Sequence, residues 1–552
     1  MSAEVFDAVV VGSGAGGMPV ALTLARAGWK VCVLEKGPYR QAHEFPQDEV
    51  LSCRRNYFVP YAADEPHVLV REGGGGPERS FEGWTSHGVG GGTVHMSGFF
   101  FRLHPVDLKL RSTLGAVPGA ELADWPFSYD ELVAAYDEAE REVGVAGVAG
   151  TNPFEPKRGA YPLPPVETHP VCSLVDEAGR KLGWHPFPTP RAIVTRPYDG
   201  RQACVYCRFC GSYGCEVNAK SSTLASLLPK ALATGSLTLR PLSMAARVEL
   251  AKDGTARGVE VRDATPGKEQ TSSFVAARVV ILAASAVESA RLLLMSPGTG
   301  GKAVANGSGH VGRHLMFNTF SEAGGMLPYA THEKRVPDFR SSMPFVGRSL
   351  WDHYYDAKAP EEVRKSGMLR VGFMHPNPIF QAERVATRDG KLLWGSALKQ
   401  ALRKHFHDGL HVEVETFGEF LPTPGTHVTL DPEVKDRFGL PAARINIAHH
   451  PRNGLVARRL ATAGEQLLRA MDAVDVHTRV PHGETMVLQH GTCRAGKDPA
   501  ESVLDRDCRS HEVKNLYVTD GSFMPSSGGC PTTLTILANS FRVAHKIIAQ
   551  WK

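Results

Sequence analysis

Four cysteines fall within twelve residues, Cys204, Cys207, Cys210 and Cys215, separated by two, two and four residues. Thiolates this close, on a loop that also carries Gly211 and Gly214, can converge on one centre. The run resembles the ferredoxin spacing of two, two and three, but its last gap is one residue longer and no proline follows Cys215. Tetrahedral zinc sites use the same short pairs, and buried thiols without metal are a third reading; the spacing leaves all three open. The other six of the ten cysteines are dispersed, which argues against a disulfide framework and for a metal or cluster site in a reducing compartment.

The second chemical signal is a glycine turn. Gly12, Gly14 and Gly17 give G-x-G-x-x-G, in which Gly12 makes the tight turn, Gly14 admits a pyrophosphate and Gly17 lets a helix pack on a strand. Glu35 stands where a carboxylate takes two hydrogen bonds from an adenosine ribose. The elements that must position these groups are present. Residues 6–11 form an apolar run suited to a buried parallel strand, 19–28 read as a helix closed by Gly28, and 30–34 read as a second strand. Together they predict a dinucleotide site whose helix N-terminus faces the phosphates.

At 552 residues the chain exceeds the ~250 to 300 at which one core stops growing, so at least two domains are expected. Hydrophobic residues at 42% and charged residues at 22% are ordinary globular values. The net charge of +4 is small and its cations are scattered, so no nucleic-acid partner is implied. No run approaches the ~20 apolar residues of a membrane span, and the N-terminus lacks the order of a signal peptide. The expectation is a cytoplasmic protein, or a periplasmic one exported with a partner that carries the signal.

Gly88-Val-Gly-Gly-Gly-Thr-Val-His-Met-Ser-Gly98 is too glycine-rich for a core element and allows close backbone contact with a second phosphate or a ring. With Arg102, His104-Pro105 and Asp124-Trp-Pro-Phe-Ser-Tyr129 followed by Tyr136 and Glu140, it resembles the glucose-methanol-choline oxidoreductases. The strand-to-helix stretch 277–294 and Asp520-Gly521 extend the likeness to both ends of the chain. Within the family, the gluconate and sugar dehydrogenase flavoproteins are most similar around the cysteines and Lys220-Ser-Ser-Thr223. A disulfide reductase would need a redox cysteine pair soon after the first helix, and the sequence has none there.

The resemblance implies FAD, an iron-sulfur cluster as one reading of the cysteines, and oxidation of a sugar, glycoside, sugar acid or other alcohol. Electrons would pass to an external acceptor, such as a cytochrome, or through a small subunit; use of oxygen, or a flavin scaffold without turnover, are the alternatives. Its implied FAD contacts are Gly91, Gly92, Thr93, His95, Ser97, Val248, Asp520, Gly521, Thr532 and Thr533, with Arg102 along the flavin. His95 matches a histidine that some relatives attach covalently to flavin and others only hydrogen-bond.

Alcohol oxidation on flavin needs a base at the substrate hydroxyl, and His490, before a Gly-Thr turn, is the candidate. Most relatives place that histidine three residues before the glycine, where this chain has Leu488, so His482 and His450 are also considered. Relatives carry Asn or His before Pro-Thr near the C-terminus. Here Cys530 or Pro531 falls there, with Asn539 on the following helix as a further candidate.

The expected fold is α/β: a Rossmann-like FAD domain of several discontinuous segments and an α+β substrate domain with a mainly antiparallel sheet. The FAD domain takes 1–165, 226–300 and 481–552, the cysteine segment 166–225 and the substrate domain 301–480.

Overall fold

The computed structural model describes residues 5–54, 57–80, 85–374, 377–388, 390–481 and 488–551. The apolar run at the N-terminus forms the strand Val5–Val11, and Met18–Arg26 is the helix that follows the glycine turn. The strand is buried from Ala8 to Val11 because it lies at the centre of a seven-stranded sheet, where both faces are covered. Its parallel neighbours are Val31–Leu34 and Ser272–Leu282. Leu237–Arg240 extends the sheet in parallel beyond Val31–Leu34, and Leu516–Val518 pairs in parallel with Ser272–Leu282. Ala256–Asp263 and Ser243–Leu250 complete it as an antiparallel pair. One sheet is thus assembled from three widely separated stretches of chain.

The second sheet has six strands in the order Val474–Arg479, Thr319–Pro328, Gly409–Gly418, Gly367–Phe373, Arg348–Leu350 and Phe187–Pro188, all antiparallel. The twenty-residue helix Pro451–Ala470 covers one of its faces through Val456, Leu460 and Leu467, which join Val371, Val412 and Val414 in a common core. Phe320, Glu415 and Phe417 of this sheet reach the site described below. His427–Lys435, Pro441–Ile447, Val68–Arg71 and Glu78–Arg79 form a separate four-stranded sheet that shares the core of the first through Leu69, Val428 and Ile445.

The two ends of the chain meet at the glycine turn. Thr519 Oγ1 and Ser540 Oγ donate to the carbonyl of Gly16 at 2.8 and 2.6 Å. Ser540 belongs to the C-terminal helix Thr533–Gln550, whose N-terminus points at the same place. Among the described residues no helix is long and apolar enough to cross a membrane.

Candidate active site

A cavity of about 610 Å³ runs from the glycine turn to the six-stranded sheet. At one end Gly12 adopts φ +102°, and a side chain there would strike the Ala283 carbonyl. A side chain on Gly17 would strike the Gly12 carbonyl, so this glycine serves helix packing and does not itself border the cavity. Gly12 and Gly14 border it, with the N-terminus of Met18–Arg26 directly behind. Glu35 is buried against the wall; its Oε2 accepts from Ser13 N at 3.2 Å and Ser13 Oγ at 2.7 Å, and its Oε1 from Gly37 N at 3.0 Å. The turn is therefore pinned to the acid that ends the second strand.

The second glycine segment rests on the first. Gly90 N donates to Ser13 Oγ at 2.9 Å, and Gly91 and Gly92 face the cavity. Thr93 does not face it: its hydroxyl donates to the Gly90 carbonyl at 2.6 Å and accepts from Thr223 N at 3.0 Å, locking the segment from behind. His95 and Ser97 line the cavity. His95 stacks on Phe58 at 5.2 Å, its buried Nε2 has no partner among the described residues, and burial together with Lys220 pulls its pKa down to about 4.

At the far wall the segment Gly491–Ala495 runs beside Gly521–Phe523, with Gly491 N to Gly521 O at 3.1 Å and Cys493 N to Ser522 O at 2.9 Å. This pairing sets His490 next to Asp520-Gly521, and all three line the cavity. Asp520 accepts from Ser285 N at 3.1 Å and Ser289 Oγ at 2.5 Å, and burial raises its pKa. His490 is fully buried, and its backbone exchanges hydrogen bonds with Met316 at 2.9 and 3.0 Å. Its Nε2 lies 2.7 Å from Thr532 Oγ1, while its Nδ1 has no partner among the described residues. Burial alone pulls its pKa down to about 3, so the ring is a neutral imidazole with capacity to accept a proton. Leu488, at the position relatives give to histidine, also lines the cavity, in a left-handed conformation at φ +62°. Thr532 and Thr533 border it at the N-terminus of the last helix.

Five further candidates lie elsewhere. Asn539 is buried beneath the surface of the last helix, where its Nδ2 meets Cys508 Sγ at 3.3 Å and its Oδ1 accepts from Arg542 at 2.9 and 3.0 Å. The Cys530 thiol turns toward Tyr354 OH at 3.6 Å and the Arg102 carbonyl at 3.8 Å, leaving Pro531 at the wall. Val248 N donates to Ser296 Oγ at 2.9 Å; the cavity is bordered instead by Ser243 to Ala245, because the strand begins there beside Glu35 and runs away. The Arg102 side chain is consumed by Glu140 at 2.7 Å and Asp137 at 2.6 Å, which explains why Glu140 accompanies it in the sequence. His450 caps the helix Pro451–Ala470 and contacts the Pro118 carbonyl at 2.9 Å, outside the cavity. His482 lies outside the described residues.

No motif marks the group of charged side chains beside the nucleotide end. Glu288 on the wall meets His67 at 2.9 Å and Arg291 at 3.0 Å, and Lys36 meets Glu65 at 2.5 Å. These residues come from three separate stretches, 36, 65–67 and 288–291, so no local spacing could reveal the group.

Cys204, Cys207, Cys210 and Cys215 all border one small void of about 10 Å³. Among the described residues, however, no three His, Cys, Asp or Glu side chains meet closely enough to hold a metal ion. Burial pushes the Cys204 thiol up to about 12 and raises Cys207 and Cys210, which keeps them protonated. As folded here the four thiols do not fit a metal or a cluster, contrary to one expectation from their spacing.

A Rossmann-type glycine turn, a second glycine segment and a buried histidine around one long cavity define a dinucleotide-dependent oxidoreductase. The family profiles described as GMC oxidoreductase match residues 26–355 and 422–540, and the chain belongs to this family. It is 32% identical to 6'''-hydroxyparomomycin C oxidase of Streptomyces lividus, over 99% of this chain and 91% of that protein. It is 31% identical to 2-methyl-1,2-propanediol dehydrogenase of Mycolicibacterium austroafricanum, over 99% and 96%. The fructose dehydrogenase large subunit of Gluconobacter japonicus is 27% identical over 99% and 98%. In fold it is similar to pyridoxine 4-oxidase from Mesorbium loti, with a TM-score of 0.61 and 19% identity over 99% of each chain. The chain is thus an oxidoreductase of the kind that acts on CH-OH groups, and FAD is the cofactor its family membership carries.

Proposed function

We propose that the chain oxidises a CH-OH group of a sugar, glycoside, sugar acid or other alcohol to the carbonyl, with His490 as the base that accepts the hydroxyl proton. The observation that carries this reading is the buried, neutral His490 ring on the wall of the cavity that Phe320, Glu415 and Phe417 of the six-stranded sheet also line. Bound FAD supplies the two-electron acceptor for the hydride that leaves the substrate carbon. Gly12, Gly14 and the helix behind them suit its pyrophosphate, Glu35 its ribose, and Gly91, Gly92, His95, Ser97, Asp520 and Gly521 line the remaining length. The N-terminus of the last helix, at Thr532 and Thr533, places backbone dipoles where negative charge would gather on the reduced ring. Burial excludes water from His490 and disfavours its charged form, so the proton it takes is held on the ring only transiently.

Electrons then pass to an external acceptor, through a cytochrome or a small subunit, a reading supported by similarity to a protein named as a large subunit. Oxygen is the second reading, favoured by similarity to a protein named an oxidase. The cysteine segment has no part in the proposed steps; iron and sulfide analysis of protein purified without air tests it independently. Anaerobic incubation of the FAD-loaded protein with sugars, glycosides, sugar acids and diols tests the main reading. Bleaching of the flavin by at least one of them is expected, and a colour unchanged by all of them would refute it. Peroxide formed in step with turnover, with no other acceptor supplied, would select oxygen.

A further inference from the structure

Beside the flavin cavity lies a second recess of about 260 Å³, which shares the wall formed by Ser97, Phe99 and Gly211. Arg191 projects from the irregular segment that pairs with Phe99 and Ala146 and lines this recess. Its side chain is only 6% exposed. The guanidinium lies over the rings of Phe99 and Phe345, at 4.6 and 4.3 Å from their centroids, which leaves its in-plane N–H edge for a partner. Among the described residues that edge makes one long hydrogen bond, from Nη1 to the Ser97 carbonyl at 3.4 Å, and Nε has no partner. A buried guanidinium without a counter-charge is costly to fold around.

The groups nearby do not neutralise it. Glu415 is held at 2.6 Å by Arg370, which also lines the recess and repels Arg191. Two further donors face the same space. Arg208 stands exposed on the rim, and His411 presents a buried Nε2 with no partner. Burial and the neighbouring His405 pull His411 down to about 4, so it is a neutral donor rather than another cation.

We propose that this recess is an anion site that receives a carboxylate on the in-plane edge of Arg191, with Arg208 at its mouth and His411 at its side. A carboxylate suits the fork geometry, since two coplanar oxygens match two coplanar N–H groups. The carboxylate belongs either to a free acid or, resting on the oxidation reading above, to the far end of the substrate whose hydroxyl sits at His490.

Titration calorimetry on the FAD-loaded protein tests this with matched probes: 6-hydroxyhexanoate, 1,6-hexanediol, acetate and inorganic phosphate. Both carboxylates should bind more tightly than the diol and phosphate, and Arg191→Gln should weaken the carboxylates at least about tenfold while leaving the diol unchanged. Hydroxyhexanoate binding more tightly than acetate, together with flavin bleaching, assigns the carboxylate to the substrate; equal binding assigns it to a free acid. If Arg191→Gln loses its flavin, Arg208→Gln is judged by the same criterion. Absence of carboxylate binding to the unaltered protein, preference for phosphate, or equal carboxylate affinity in the variant overturns the site. Stoichiometric iron with no carboxylate binding would also overturn it, and would assign Arg191 to metal-bound thiolates. Because calorimetry does not require turnover, failure of the oxidation reading shows separately, as a flavin that no alcohol bleaches.

Discussion

His490 Nε2 and Thr532 Oγ1 stand 2.7 Å apart, joining the Gly-Thr turn to the residue that opens the last helix. The hydroxyl either donates to Nε2 or accepts from it, and in the second case the unpartnered Nδ1 carries the free lone pair. Either way the contact fixes the plane of the ring. Removing the imidazole with His490→Ala should slow flavin reduction by about 10² to 10⁴-fold while the protein keeps its yellow colour. Thr532→Val should slow it by a smaller factor, and Thr532→Ser should restore most of the loss. Stopped-flow reduction under anaerobic conditions measures all three. An alanine variant reduced at the full rate would remove His490 from the mechanism.

His95 lines the same cavity with its Nε2 unpartnered and the ring neutral. We expect it to hydrogen-bond the flavin without a covalent bond. Acid precipitation should then leave the yellow colour in the supernatant, whereas colour in the pellet would show attachment. His95→Ala should bind FAD more weakly in an equilibrium titration.

Lys365, Asp107 and Glu419 are completely buried, with Lys365 Nζ 3.0 and 3.3 Å from the two carboxylates. Tyr354 OH donates to Asp107 at 2.6 Å and accepts from Gly529 N at 3.1 Å, so the group anchors the loop that leads to Thr532. Lys365→Met leaves two buried carboxylates without their cation and should cost about 3 to 5 kcal/mol. Thermal denaturation should show a markedly lower Tm. Adding Asp107→Asn and Glu419→Gln to it should recover much of the loss.

Glu413 is pushed up to about 7, chiefly by burial and then by Glu322 and Glu415, with Arg384 at 3.5 Å and Arg370 opposing. Its folded-state value is above the ordinary 4.5, so between those pH values the folded protein keeps a proton that the unfolded chain releases. The stability this group contributes is full below about 4.5, falls through the window and is lost above about 7. Glu413→Gln should therefore have a higher Tm than the unaltered protein at about pH 8 and lose that advantage toward the acid end of the window. Equal differences in Tm at both ends would contradict the assignment.

The nucleotide end was legible because strand, turn, helix and acid follow one another within residues 5–35, and each has a local signature. His490 could be placed through the Gly-Thr turn beside it. Its contact with Thr532 could not, since forty-two residues separate them and no periodicity links the two. Asn539 was a reasonable candidate by proximity to Pro-Thr. It fails because its side chain lies on the face of the last helix turned toward Cys508 and Arg542, whereas the neighbouring Ser540 faces the glycine turn. Val248 fails because only the first residues of its strand lie beside Glu35. The buried ion groups at Lys365 and Glu288 join distant stretches of sequence and became visible only with the fold.

The bonds from Thr519 and Ser540 to the Gly16 carbonyl bear on how the cofactor is retained. Thr519 and the last helix thus supply the support behind the phosphate-binding turn, and clipping that helix should discharge the flavin even though every residue of the N-terminal fingerprint survives.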